Sequence, residues 1–232
     1  MTTGTSYTDR ARPDPEDTYL SYRLNPKKQD IRFFWKDDEG RPIRSFQNLQ
    51  EYVKKNGKNL VFAMNGGMYK TDHSPLGLFI QEHQTMTRIN RADAKGNFYL
   101  KPNGIFYLTD HNKAVIEVTD SFRVRQNVRF ATQSGPMLLV DGKIHPAFRA
   151  GSSNLNIRNG VGILPDGNIL FALSRTDVNF YDFAMFFKKA GCRNALYLDG
   201  FVSRAYLPSQ HWIQHDGDFG VIIAEVNDLG KK

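Results

Sequence analysis

Val161-Gly162-Ile163-Leu164-Pro165-Asp166-Gly167-Asn168-Ile169-Leu170-Phe171-Ala172-Leu173 reads as two apolar runs joined across an Asp-Gly pair. That pairing is a specific hairpin signal, because a type I′ turn needs positive φ at both central residues. The same signal recurs at Asp141-Gly142, between Met137-Leu138-Leu139-Val140 and Lys143-Ile144. Working outward, the middle of the chain holds further short β-prone runs at Leu78-Phe79-Ile80, Phe98-Tyr99-Leu100, Ile105 to Leu108 and Ala114 to Val118. Turn residues separate them at Lys95-Gly96-Asn97, Pro102-Asn103-Gly104 and Asp110 to Lys113. An extended segment starts at Tyr19, and Ile31 to Trp35, Leu60 to Met64 and Ala195 to Leu198 read as strands. The run from Gly220 to Val226 is expected to close the sheet.

Two helices are marked by caps and periodicity. Ser45 can cap the first, with Phe46, Leu49 and Val53 on one face, Lys54 and Lys55 at its negative end and Asn56-Gly57 as the stop. Asn179 can cap the second, with Phe183, Phe186 and Phe187 as its apolar stripe, Lys188 and Lys189 in the last turn, and Gly191 ending it. The expected fold is α+β: one domain over residues 19–232, with a mixed or mainly antiparallel sheet of short strands and two or three packed helices. Residues 1–18 are polar and aperiodic and are expected to be flexible.

The chain has 232 residues, 40% of them hydrophobic, enough for a sizeable core. Its 17 Phe and 10 Tyr favour strands. A net charge of +7 suits an anionic ligand. Lys and Arg are dispersed and no recognised motif appears, so nucleic acid is not the expected partner. Cys192 is the single cysteine, which excludes an intramolecular disulfide; it reads as a buried, inert thiol. No apolar stretch is long enough to span a membrane as a helix. Met1 to Asp17 carry no leader-peptide core, so the compartment stays open: periplasmic or secreted if a leader was removed, cytoplasmic otherwise.

Three polar clusters stand apart: Asn65-Gly66-Gly67-Met68-Tyr69, Arg158-Asn159-Gly160, and Asp199-Gly200 followed by Ser203. The first and third follow apolar runs, and strand ends are where a rigid scaffold can hold reactive groups. Gly66 and Gly67 serve either a tight turn or a backbone anion nest, and Asn65 can donate to and accept from sugar hydroxyls. Arg158 can fork onto phosphate oxygens in a way lysine cannot. Asp199 ends a strongly apolar strand, where restricted water would raise its pKa; the plainer alternative is an Asp-Gly turn. Ser203 would hold Asp199 or touch ligand.

Gln133-Ser134-Gly135-Pro136 lacks the first glycine of a nucleophile elbow and has no clearly paired histidine. Ser134 and the Gly135 amide are therefore expected to line the pocket. His73 is a candidate general acid or ligand contact. His211 and His215 are four apart, but no Glu takes the metalloprotease position and Pro208 and Asp216-Gly217 crowd any helix there. No metal and no cofactor is expected. An amide, a guanidinium and a carboxylate brought to one cleft would suit a sugar and an anionic phosphate.

Together these segments resemble the phosphodiester glycosidase domain, the family of the uncovering enzyme that removes N-acetylglucosamine from mannose-6-phosphate diesters. The likeness runs from about Tyr19 to the end of the chain, closest to the small bacterial members. Its motifs are the Asn-Gly-Gly-aromatic segment at Asn65 to Tyr69, Ser-Gly-Pro with a Val-Asp-Gly-Lys hairpin at Ser134 to Lys143, and Arg158 leading into Gly162. A helix, Gly-Cys and Leu-Asp-Gly follow over Phe180 to Gly200. The resemblance implies hydrolysis of a sugar C1–O bond with a phosphate ester as leaving group. It implies that Arg158 and loop amides clamp the phosphate, that Asp199 acts at C1, and that Asn65 and Ser134 orient sugar or phosphate. From the residues themselves, His73 is a further catalytic candidate, and Gly66, Gly67, Gly135, Gly200, Ser203 and Arg204 are candidate substrate contacts.

The family often continues Leu-Asp-Gly-Gly-Gly-Ser-Ser, whereas here Asp199-Gly200 runs into Phe201-Val202-Ser203-Arg204. This departure implies a different substrate, with Arg204 as a second phosphate contact. Two rival readings are a non-catalytic glycan- or nucleotide-binding module and a metal-dependent phosphodiesterase cutting P–O, for which Asp72, His73 and Asp199 are a thin donor set.

Overall fold

The computed structural model describes residues 18–230. In chain order its strands are β1 (Tyr19–Leu24), β2 (Asp30–Phe34), β3 (Lys58–Asn65), β4 (Phe79–Gln81), β5 (Gln84–Thr87), β6 (Gly104–Thr109), β7 (Ala114–Val118) and β8 (Val128–Ser134). They continue as β9 (Met137–Val140), β10 (Lys143–Ile144), β11 (Asn159–Ile163), β12 (Ile169–Ser174), β13 (Ala195–Tyr197), β14 (Ala205–Leu207), β15 (Trp212–Ile213) and β16 (Ile222–Asp228). The α-helices among the described residues are α1 (Phe46–Lys55) and α2 (Phe180–Lys189).

The strands form three sheets, ordered β1-β12-β11-β13-β9-β10, β15-β14-β3-β16-β2 and β5-β4-β8-β6-β7. Neighbouring strands run antiparallel in all three. The expectation of one sheet is corrected to three, and β16 does not close a sheet but lies between β3 and β2. The physical reason is in the strands themselves. Phe106 and Leu108 of β6 face a core shared by all three sheets, with Phe62, Phe33, Phe171, Leu196 and Met137. Ile105 and Tyr107, one position out of phase, face a second cluster with Phe122 and Val128. A strand buried on both faces reads as a continuous apolar run, which hides the fact that its two faces meet different layers.

Each helix covers an outer sheet face. α1 packs Phe46, Leu49 and Val53 against Ala63, Ile222 and Ala224, and α2 packs Phe183, Ala184 and Phe187 against Leu138, Leu170 and Ala195. Both caps form as expected. Ser45 Oγ accepts the Asn48 amide at 3.1 Å, Asn179 Oδ1 accepts the Asp182 amide at 2.8 Å, and Gly191 takes φ +89° beyond α2. Cys192 is buried, and burial pushes its thiol up to about 12.

Two local expectations need correction. Phe98-Tyr99-Leu100 is not a strand: Asn97–Tyr99 is a 3-10 turn, whose Phe98 carbonyl accepts from the buried Asn103 side chain at 2.8 Å. The Asp166-Gly167 loop is not type I′. Asp141 and Gly142 both have positive φ, but only Gly167 of the second pair does. Pro165 fixes a negative φ and starts an ordinary turn, closed by Gly167 N to Leu164 O at 2.9 Å. The expected flexible stretch over 1–18 falls outside the described residues except for Thr18.

Packing, more than capping, holds α2 to its sheet. Phe183→Ala removes a ring with no exposure and is expected to cost about 3–5 kcal/mol, against about 1 kcal/mol for Asn179→Ala. Urea denaturation of the two variants measures the difference.

Candidate active site

The sequence-selected clusters meet where the three sheets come together. Antiparallel pairing puts Gly160 of β11 opposite Tyr197 of β13, and Leu198 N donates to Asn159 O at 3.1 Å. Continuing that register places Arg158 opposite Asp199. Side chains two apart on a strand share a face, so Arg158, Tyr197 and Asp199 belong to the α2 side, and Asn159 and Leu198 turn inward.

Asn159 meets Asn65 at the end of β3. Its Nδ2 donates to both Asn65 O and Asn65 Oδ1 at 2.9 Å. Asn65, itself 1% exposed, donates from Nδ2 to Asp199 O at 2.6 Å and accepts the Arg204 amide at 2.9 Å. Asp199 N returns a bond to Gly66 O at 3.0 Å. Asn65 therefore ties β3 to the loop after β13, and its polar atoms are spent on protein.

The glycines answer to close approach. A Cβ on Gly67 would lie 2.4 Å from Gln133 O, and one on Gly66 would lie 2.6 Å from a Val221 methyl carbon. Gly66 N donates to Val221 O at 2.8 Å, so this amide is not free for an anion nest. A Cβ on Gly200 would fall 1.5 Å from Tyr197 Oη, so the turn after Asp199 closes directly over that hydroxyl. Ser203, 4% exposed, holds the turn by donating to Gly200 O at 3.1 Å.

Arg158 is 1% exposed. Nε donates to Val178 O at 2.8 Å. Nη2 donates to Asn154 O and Oδ1 at 2.8 and 3.2 Å, and Nη1 donates to Tyr197 Oη at 3.4 Å. Its guanidinium stacks 3.6 Å above the Phe180 ring centroid. Burial pulls its pKa below the usual arginine value. Asp199 moves the other way: burial pushes its carboxyl up to about 6, against one bond from Phe201 N at 3.2 Å. Among the described residues these opposite charges form no ion pair with each other. Tyr197, whose hydroxyl burial holds at about 12, stands between them and feels both.

The other candidates divide. Ser134 ends β8 and is fully buried, its Oγ without a partner among the described residues; Pro136 O accepts from Tyr197 N at 3.1 Å, which puts this segment beside the site. His73 is a layer away. Its Nε2 lies 2.7 Å from Asp218 Oδ1, and its ring stacks on Tyr69. Tyr69 in turn donates to the Asp218 carbonyl. The Arg44 guanidinium, with His73, holds Asp218 below the usual carboxylate range. Tyr69 senses Asp199, whose charge adds to burial in raising the Tyr69 hydroxyl to about 12. Arg204 brings its amide to the site, but its Nε is 3.1 Å from Asp216 on the surface. No three His, Cys, Asp or Glu side chains among the described residues gather as metal donors would.

Sequence reasoning placed Tyr69 and Asn159 in the clusters without giving either a role, and passed over Tyr197. The signal for Tyr197 was available: it shares a strand face with Asp199.

A model of the phosphodiester glycosidase family matches residues 58–223. The chain belongs to that family. It is 36% identical over 200 residues to the Escherichia coli protein YigE, itself described as uncharacterized, covering 86% of this chain and 78% of that one. The fold is similar to the zebrafish N-acetylglucosamine-1-phosphodiester alpha-N-acetylglucosaminidase catalytic domain, auto-inhibited by its pro-peptide. The TM-score is 0.58 at 14% identity, over 90% of this chain and 88% of that one. A hypothetical protein from Synechocystis matches with a TM-score of 0.55 at 12% identity, over 90% of this chain and 59% of that one. The family match spans Asn65, Arg158 and Asp199 alike.

Gly67 meets a backbone carbonyl and Gly66 a valine side chain, so Gly67→Ala is expected to cost more than Gly66→Ala. Arg158→Lys is expected to cost about 2–4 kcal/mol, because one ammonium cannot serve the carbonyls of both Val178 and Asn154. Equilibrium denaturation of the three variants tests both statements.

Proposed function

We propose that this protein is a hydrolase that cleaves the C1–O bond of a sugar-1-phosphodiester, with the phosphate ester as leaving group. The observation that carries the reading is the pair of desolvated, unpaired opposite charges, Asp199 and Arg158, on neighbouring strand ends of a phosphodiester glycosidase family member. An ion-paired Arg–Asp would be electrostatically satisfied. Charges held apart leave their fields for a ligand carrying both a phosphate and an electron-poor anomeric carbon. The zebrafish relative's name describes an N-acetylglucosamine phosphodiester substrate; the sugar here is a separate question, given the residues that follow Gly200.

A phosphate ester leaves as an anion, so a strong general acid matters less than in ordinary glycoside hydrolysis. Ionised Asp199 faces the positive charge developing at C1, as nucleophile or as base for water. Arg158 stabilises the departing phosphate. In the free protein Asn154 O and Oδ1 occupy two of its N–H groups, and Asn154 is exposed; phosphate oxygens displacing that residue would inherit both bonds. Ser134 lies fully buried at the end of β8, and Gly66, Gly67 and Gly200 leave room for Val221, Gln133 and Tyr197, so these residues shape the site rather than touch the ligand. Ser203 fixes the Asp199 turn. Arg204 reaches a second phosphate oxygen only by leaving Asp216, an exposed pair worth at most about 1 kcal/mol. His73 acts through Tyr69, because Asp218 holds its Nε2.

Hydrolysis of a sugar-1-phosphodiester in oxygen-18 water tests the reading. Label in the sugar supports C–O cleavage; label in the phosphate would make the protein a phosphodiesterase, and binding without turnover would make it a binding module. Turnover should fall as pH drops through about 6, where Asp199 takes up a proton.

Asp199→Asn should lower kcat by about 100- to 10,000-fold while stabilising the protein at neutral pH. Raised from 3.8 to about 6, the carboxyl is penalised when ionised. At 1.36 kcal/mol per pKa unit that rise corresponds to at most about 3 kcal/mol. The fold favours the protonated form, so the variant's advantage is full above pH 6 and disappears below pH 4. Denaturation midpoints across that range, read beside kcat, check both signs.

A further inference from the structure

His145 follows β10, is 3% exposed and has no part in the site described above. Both its ring nitrogens meet backbone: Nε2 lies 3.0 Å from Lys101 O, and Nδ1 lies 3.2 Å from Ala147 N. A carbonyl only accepts and an amide only donates, so one form satisfies both, the neutral imidazole with its proton on Nε2. The ring so fixed stacks on Phe148, with centroids 4.8 Å apart. Phe148 stacks on Phe180, also at 4.8 Å, with the planes 6° from parallel. The Arg158 guanidinium lies 3.6 Å from the Phe180 centroid. Two groups cannot share one face of a ring at such distances, so the neighbours of each phenylalanine take opposite faces. Three rings thus form a column with Arg158 at its head and His145 at its foot. An apolar side chain could fill the space at the foot, but only one with polar edges can be pinned there by backbone on two sides.

We propose that His145 is a positioning residue for the phosphate subsite, its neutral imidazole footing the ring column that sets the plane of the Arg158 guanidinium. The inference rests on the proposed function and deepens it. Once phosphate oxygens replace Asn154, Arg158 keeps in-plane bonds only to Val178 O and Tyr197 Oη. Those two leave the guanidinium free to tilt, and the face of Phe180 sets the tilt. The fork meets two phosphate oxygens at once only when its plane contains them. Protonation of His145 works against the column, because it puts an N–H on Nδ1 facing the Ala147 N–H, two donors with no acceptor. Burial holds the imidazole pKa below its usual value, and the Lys101 carbonyl offsets part of this. The charged side chains around it are engaged elsewhere or exposed. Lys101 Nζ pairs with Asp93, Asp182 accepts from Asn179 Nδ2, Asp177 acts on Arg158, and Lys143 and Arg149 are exposed.

The test uses the Asp199→Asn protein, which removes the other titration, at about 6, and slows turnover. The probe is the methyl diester of N-acetylglucosamine-1-phosphate, whose charge is constant over the range. Calorimetry gives Kd, and NMR follows the His145 ring and the Arg158 Nε–H across pH. On acidification the Arg158 signal should shift with the same midpoint as the His145 ring, and Kd should rise about threefold to tenfold, the size of one aromatic contact. At neutral pH His145→Gln should weaken binding by a similar factor, and His145→Phe, which restores a ring, should recover most of it. Neither variant should keep the pH dependence. A histidine that merely packs would lower the unfolding midpoint of these variants and leave Kd and the Arg158 signal unchanged, which overturns the inference and leaves the proposed function standing. Where a variant fails to fold, the titration of unsubstituted His145 decides: either readout indifferent to its protonation overturns the inference, as does binding that leaves the Arg158 signal unmoved. A diester that does not bind overturns the proposed function, and this inference with it.

Discussion

One carboxamide determines where the candidate site can form. Asn65 takes the Asn159 side chain and the Arg204 amide on Oδ1 and gives Nδ2 to the Asp199 carbonyl. These partners come from the starts or ends of β11, β13 and β14, in two different sheets. A buried amide leaves its partners unsatisfied if it moves, and each unsatisfied group costs about 1–3 kcal/mol. The position of Asp199 relative to β3 is therefore set by hydrogen bonds that cannot slip singly. The glycines beside it complete the constraint, because the backbone at Gly66 and Gly67 runs too near Val221 and Gln133 for any side chain.

Much of this was legible in the sequence, for identifiable reasons. Helix boundaries were readable because Ser45, Asn179, Gly57 and Gly191 act within a few residues of themselves. The Asp141-Gly142 turn was readable for the same reason, and Asp166-Gly167 misled because Pro165 changes which residue leads the turn. Phe98 to Leu100 has strand composition, but its conformation is imposed by Asn103, five residues from Phe98. The division into three sheets was not legible. Alternation tells which residues are buried, not which of two layers each face meets, and β6 is buried on both.

The candidate residues were legible as strand-end clusters, and their environments were not. Arg158 looks in sequence like a surface cation before a polar loop. Its burial depends on Phe180 at the start of α2, Val178 before it and Asn154 in the loop. His73 looks adjacent to the first cluster and is, but Asp218, 145 residues later, claims its imidazole. Tyr197 looks like one more apolar strand residue, because a hydroxyl's role depends on which two charges lie on either side of it.

Tyr197 also accounts for an apparent contradiction. A carboxylate near an arginine is normally pulled below its usual pKa, yet Asp199 is raised to about 6. Were Arg158 to contact Asp199 directly, the pair would neutralise itself, and an incoming phosphate would have to compete with a carboxylate for the guanidinium. The phenol prevents this: it accepts from Arg158 Nη1 and fills the space under Gly200, so the two groups are close in register but not in contact. Desolvation then dominates at both. Burial destabilises both charges; the Tyr197 hydroxyl and the Asp177 charge offset part of it at Arg158, and the Phe201 amide offsets part of it at Asp199. On this argument the identity of residue 197 matters less for any bond it makes to a ligand than for the separation it enforces.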